Sequence, residues 1–588
     1  MAFARELGWM LGLVACGSVG DADRKPPLDT ASEVACDPAN GWDPFARGYL
    51  TTWCTPCHSE SLIGADRAGA PVGVDLDSWA GASLWADRVA HRSLDDTMPP
   101  GGGPSEAERA RIAEWVACGA PGSDAVSSDC GTAATRPGDL RVDAGFDAAA
   151  FCAEAGHVAG SVTISVDTVG PLETCLCGIG GDLVVAPGAV EVSLLAVAEV
   201  GGTVRVEGSD AARVVLPALG AIGGDLRVAE NAGLAELQLP ALQTVVGAVE
   251  IRSNAVLPLL GLPMLDRAAS LLVTDNPAVQ AVSINRLDAV DGDLSVARNA
   301  VLDAWVGTEL LRTVGGTLEV CDNDGLTGLD TFTRLEAVDG DLRVEDNDGL
   351  RSIDGFYALL TVGGTLSVHA NPRLEDVRGF PVLDSAGALV ITDSGLEVLT
   401  AFEVLTTVHG DLVLTGNDGL LRLSAFDALT VLDGDLDLRD NDVLGSITGL
   451  NDLQTVGGDL WISGDRLVRI AGLERLSSVT GEFTLATLPR LREAPGLVEL
   501  ARVGGLRLQQ TALVDLDDLR RLREVDGDLV LRSNPELETV RALEDVERIG
   551  GDLDIRLNPS LPAEDAERLG AALGSDVVAG DTVISDNG

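Results

Sequence analysis

A short phrase, Val-Gly-Gly-Asp-Leu-x-Val or a close variant, returns from about residue 160 to the C-terminus and limits the chain to repetitive architectures. With its second glycine or the equivalent residue as a marker, it falls at 160, 181, 202, 224, 247, 269, 292, 316, 340, 364, 387, 410, 434, 458, 481, 504, 527, 551 and 580. The intervals are 21–24 residues except the last, which is 29. Nineteen markers this regular predict a solenoid, in which no unit can bury its own apolar face and each must stack on the next. Composition agrees, because 69 glycines and 46% hydrophobic residues with only 3% aromatics suit thin aliphatic layers better than a core built on large rings. At about 4.8 Å per coil the stack would be a rod on the order of 90 Å long.

Within a unit such as Gly340-Asp341-Leu342-Arg343-Val344-Glu345-Asp346-Asn347, apolar and polar residues alternate, which predicts one short strand with one face inward. The marker glycine is expected to supply a left-handed or tightly turned backbone at the start of that strand. Seven residues after the marker stands an asparagine in most units: Asn231, Asn254, Asn276, Asn299, Asn323, Asn347, Asn371, Asn417, Asn441, Asn534, Asn558 and Asn587. A buried corner ladder of stacked amides fits that column. Arg227, Glu250, Ser295, Glu319, Arg343, Ser367, Asp437 and Trp461 would lie on the exposed face of the resulting parallel sheet. Residues 562–573 have a helical pattern that accounts for the long last interval and suits a cap. Asp-Asn-Asp-Gly at 322–325 and 346–349 lacks the later glutamate of an EF-hand and reads as solvated turns. The repeats hold only His369 and His409, both at variable positions, so no Ser-His-Asp arrangement is expected. The Gly-Asp-Leu-x-Val strand, the asparagine corner and the later Leu-x-x-Leu-x-x-Val segment resemble the receptor L domain, a leucine-rich right-handed β-helix. That resemblance implies fold and leaves the ligand open.

The N-terminal part carries a different signal. Cys54-Thr55-Pro56-Cys57-His58 places two thiols on one helical turn, each able to add to a haem vinyl group, with the adjacent histidine facing the iron. Upstream, residues 42–53 have the apolar spacing of a helix running into the motif, with Pro44 acceptable in its first turn. Downstream, Pro104-Ser105-Glu106-Ala107-Glu108 opens a second helix with a capping box, and Ile112, Trp115 and Val116 mark its buried side. Met98, followed by Pro99-Pro100, is the expected second axial ligand; a thioether favours reduced iron, and His91 or an open site are the alternatives. A zinc site would need a second Cys/His pair, which the neighbouring sequence lacks. CTPCH at 54–58, MPP at 98–100 and the terminal WVACGAP at 115–121 resemble a small class I monohaem cytochrome c. The resemblance implies one covalent haem c, and Cys36 and Cys118 would then tie the two ends of the module together.

Residues 1–15 read as an export signal, and Leu13-Val14-Ala15-Cys16 resembles a bacterial lipobox whose lipidated Cys16 would anchor the mature chain. A tether at 16–35 would lead to the haem domain at 36–122, a Cys-containing linker at 123–150 and the solenoid at 151–588. The fold class expected is therefore multidomain: a small all-α cytochrome c-like domain followed by a β-solenoid of about 19 coils. Nine of the ten cysteines lie in the first third; Cys130, Cys152, Cys175 and Cys177 predict disulfides of undetermined connectivity, and Cys321 a buried free thiol. The net charge of −51 argues against nucleic acid and anionic lipid surfaces as partners. These readings combine into an exported, lipid-anchored electron-transfer protein whose solenoid docks an unknown redox partner. The alternative is a cell-surface recognition or adhesion protein with a haem appendage, and an enzyme is the least expected outcome.

Overall fold

The computed structural model describes residues 45–55, 76, 82, 86–94, 104–118, 130, 133–168 and 170–588. From Thr135 onward the chain winds into a long right-handed β-solenoid of about 18 turns. Strand pairings are parallel and join residues one coil apart, as in Leu318↔Leu342, Glu319↔Arg343 and Val320↔Val344. Leu342, Val344, Leu366 and Val368 point inward and are fully buried, and a second apolar run in each coil, such as Leu350, Ile353, Phe356 and Leu359, meets them from the opposite side. Alternation at period 2 thus builds one continuous aliphatic column. Stacked on it is a file of aromatic rings, Phe332, Phe356, Phe380, Phe402 and Phe426, with successive centroids 5.1–5.3 Å apart and Trp305 edge-on at its head.

Several expectations change. Each coil gives two segments to the main sheet rather than one, such as Ala337–Val338 and Leu342–Glu345, so the sheet contains 35 short strands. About 18 turns stand where about 19 coils were expected. The stack also begins before residue 151: Leu140–Val142 pairs with Val162–Ile164, so Gly138-Asp139-Leu140 is an unrecognised copy of the repeated phrase. A helix, Ala148–Glu154, occupies the rest of that coil, and the interval to the next marker is 22 residues. Cys152 of that helix is bonded to Cys175, and Cys130 to Cys177, stapling the first coils. At the far end a helix, Ala563–Val577, buries Ala566, Leu569 and Leu573 over the last coil.

The marker glycines have another purpose than the one expected. Apart from Gly138 they lack positive φ; what they avoid is collision, since a Cβ on Gly364 would overlap the Asp341 carboxylate and the Gly340 carbonyl carbon. That carboxylate is occupied. Asp341 Oδ1 accepts the Thr365 N–H at 2.8 Å, and the same bond to the following coil recurs from Asp139, Asp182, Asp225, Asp293, Asp411, Asp435, Asp459, Asp528 and Asp552. The asparagine ladder runs alongside. Asn347 Oδ1 accepts the Asn323 N–H at 3.0 Å, while its Nδ2 donates to the Val320 carbonyl at 2.9 Å. Left-handed backbone does occur, but at the residue before the asparagine: Asp322, Asp346 and Asp440 have φ of 54°, 53° and 56°. Aspartate tolerates that region through its short polar side chain, which accounts for the Asp-Asn-Asp turns. The ladder lapses at Gly464 and Leu488, where the strands Ser478–Leu488 and Arg502–Thr511 lengthen and pair through the corner instead.

Among the described N-terminal residues are three helices, α1 (Arg47–Trp53), α2 (Ala86–Leu94) and α3 (Glu106–Ala117). Ser105 and Glu108 close the expected capping box on α3, and their hydrogen bonds hold the Glu108 carboxyl below the usual carboxylate range. Tyr49, Leu50, Ala86, Val89, Ile112 and Trp115 share a small apolar cluster. That cluster also includes Ala281 and Val306 of the solenoid, with Leu259 and Ala304 packed against it.

Candidate functional site

The first candidate is the end of α1. Cys54 and Thr55 both donate their N–H groups to the Leu50 carbonyl, at 2.8 and 2.9 Å, so the first thiol of the CxxCH phrase completes the last turn of the helix. Its thiol is half-buried against the apolar cluster, beside Trp53 and Val116. Tyr49 on the same helix is buried; its hydroxyl lies beside Ser93 without closing a hydrogen bond, and burial pushes its pKa above the ordinary value. Arg111 of α3 stacks over Phe45 at 3.8 Å.

Cys16, Cys57, His58 and Met98 lie outside the described residues, as does Cys36. His91 falls within α2. Cys118, at the C-cap of α3, is disulfide-bonded to a cysteine outside the described residues. A haem attached here would need a thiol at a helix end, an apolar wall and room beside it. Cys54 and the wall of Leu50, Ile112 and Trp115 supply the first two of these. Among the described residues no three His, Cys, Asp or Glu side chains converge as a metal site.

The second candidate is the outer face of the main sheet. Arg227, Glu250, Glu319, Arg343 and Trp461 do reach solvent, whereas Ser295, Ser367 and Asp437, also expected there, are buried by their neighbours. Ser295 Oγ donates to Glu319 at 2.6 Å, and Asp437 lies under Arg439, which binds it at 2.6 Å and covers the Trp461 ring at 4.9 Å. Cys321, a free thiol as expected, also faces outward but is shielded; burial and the carboxylates of Glu319 and Glu345 push its pKa to about 12. His369 meets Thr392 Oγ1 at 2.8 Å and Asp393 at 3.5 Å through the same Nδ1, so the ring cannot relay a proton between them. Arginines tie successive coils to acidic partners, as Arg312 does to Glu336 and Arg351 to Glu375. What sequence reading missed is the Gly-Asp ladder, signalled only by an aspartate at a fixed place after the marker.

No protein-family model matches the chain. No curated protein matches it either. Among solved structures it is similar to the TLR13 chain of a TLR13–ssRNA13 complex, at 12% identity over 73% of this chain and 92% of that chain, with a TM-score of 0.14. A TM-score of that size does not relate the two folds. The disulfides Cys130–Cys177 and Cys152–Cys175 belong to an oxidising compartment and mark the chain as exported. Among the described residues no helix is long and apolar enough to cross a membrane.

Proposed function

We propose that this is an exported, lipid-anchored monohaem c-type cytochrome whose solenoid, of the receptor L-domain type, docks a redox partner. The observation that carries the reading is the place of Cys54, the first thiol of Cys54-Thr55-Pro56-Cys57-His58, at the end of α1 against an apolar wall. Cys54 and Cys57 would hold one haem c covalently, with His58 and either Met98 or His91 as iron ligands. Bound there, haem supplies reversible one-electron chemistry. Leu50, Ile112 and Trp115 keep water from that side, and Cys16 would carry the lipid. The acidic solenoid would select a partner with a basic surface.

A second reading makes the solenoid the functional part of a surface recognition protein, favoured by the coil-to-coil variation of Arg227, Glu250, Arg343 and Trp461 on its outer face. The test is expression with c-type maturation factors, followed by denaturation, haem staining and a redox titration. Covalent haem that titrates reversibly, is lost in Cys54→Ser and changes its spectrum in Met98→Ala is the expected result. A chain without covalent haem under those conditions overturns the cytochrome and leaves recognition.

A further inference from the structure

We infer that one flank of the solenoid is the missing half of the helical module's core, so that α1–α3 reach their folded state only against it. Three strands form this flank: Leu259–Gly261, Ala281–Ser283 and Ala304–Val306. Their residues divide by alternation. Leu260, Val282 and Trp305 enter the solenoid core, while Leu259, Ala281, Ala304 and Val306 face away from it into the cluster of Tyr49, Leu50, Ile112 and Trp115. Ala281 is fully buried and Val306 is 7% exposed, although both stand on the outside of the coil.

The corresponding outward positions elsewhere on this side of the rod are mostly polar, with Val398 an exposed exception in the sheet that follows. Glu191, Arg213 and Glu236 occupy them in the sheet before, with Arg213 and Glu236 paired at 2.8 Å, and Arg422, Ser446 and Arg469 in a sheet further on. An apolar patch on three adjacent coils that already lies against the helices, small at Ala281 and Ala304 so that they can approach closely, marks a permanent seat. Such a seat favours the helical unit, because small modules bury a smaller share of their surface by themselves, about 60% at 60 residues. The occupant is thus the chain's own helices α1–α3, and the solenoid assembles the module that the proposed cytochrome reading equips with haem; only the haem readout below rests on that reading.

The test uses the full-length chain with Ala281→Glu, and Ser446→Glu as the control on the polar part of the flank. Cleavage within residues 45–118 by a dilute protease is expected to accelerate at least about tenfold in Ala281→Glu, with the far-UV spectrum of the solenoid unchanged and the control like wild type. Leu259→Asp, whose side chain stays outside the coil stack, gives the same reading if Ala281→Glu disturbs the solenoid itself. Covalent haem content should fall in step with the loss of protection. Unchanged cleavage in both flank variants overturns the inference. A wild type that carries no haem removes the cytochrome reading while the protease result still decides the seat.

Discussion

Replacing Asn347 by alanine isolates what the asparagine ladder contributes. The side chain is fully buried and makes three short bonds: it accepts the Asn323 N–H at 3.0 Å and donates to the Val320 and Glu345 carbonyls, both at 2.9 Å. Glu345 O keeps the Asp322 N–H, and Asn371 Oδ1 keeps the Asn347 N–H, so the substitution orphans one buried donor, Asn323 N–H, and removes two further short bonds besides a long one to Asn371 Oδ1 at 3.3 Å. An orphaned buried donor costs about 2 kcal/mol and each lost buried bond about 1, which gives about 4 kcal/mol in all. Because each coil touches only its neighbours, the loss should stay local. Hydrogen exchange read by mass spectrometry should show protection across residues 317–371 falling by a factor of about 10³. Peptides near Val206 and Leu531 should keep theirs. Asn347→Ser should cost about half as much, since Ser394 already occupies a ladder position and accepts the Asn371 N–H at 3.3 Å. A cost below about 1 kcal/mol for alanine, or protection lost evenly along the rod, would refute the idea that the ladder aligns the coils.

The aspartate ladder predicts acid sensitivity. The Thr365 N–H, and then Arg343, hold Asp341 below its ordinary pKa, so its contribution is present above the unfolded value of about 4 and is lost as pH falls through the folded one. Circular dichroism between pH 7 and 2 should show cooperative unfolding below about pH 4, shallower in Asp341→Asn; stability that rises steadily with acid would contradict this, although burial raises Asp322 and Asp266 and makes them pull that way. Cys321 in the native chain should alkylate more than about 10³-fold slower at pH 8 than after denaturation, as peptide mass analysis will report, and equal rates would exclude its shielding. Gly364→Ala should lose about 1–3 kcal/mol by urea titration, because the methyl group meets Asp341 rather than space.

The rod was legible because stacking demands a fixed interval, and the interval is printed in the sequence by Gly and Asn. Asn stood out since a recurring buried amide has no rationale except a ladder. Aspartate did not: beside 91 other acidic residues, Asp341 looks like surface charge until the register shows Thr365 N–H above its carboxylate. The glycine explanation failed for a related reason, since conformational freedom and absence of bulk predict the same residue and only the neighbouring coil tells them apart. Ser295, Ser367 and Asp437 do lie outward as alternation predicts, yet longer side chains cover them, Glu319 of the next strand over Ser295 and Arg439 of the same coil over Asp437. The flank of Ala281 and Val306 was invisible because an apolar strand reads alike whether its second face meets a core or a neighbouring module. At the CxxCH phrase, the sequence predicts the helix that runs into it, and the structure adds that Cys54 closes its last turn.

The two ladders have a consequence for how such a chain can change over evolutionary time. Most coils offer an aspartate oxygen to the coil after and an asparagine oxygen to the coil before, at the same two places. Deleting or duplicating a whole unit therefore leaves both sockets matched, and shortens or extends the reach of the rod in steps of about 4.8 Å. Losing a single residue misaligns both at once. Length variation by complete repeats, with almost none inside them, is the pattern this construction permits.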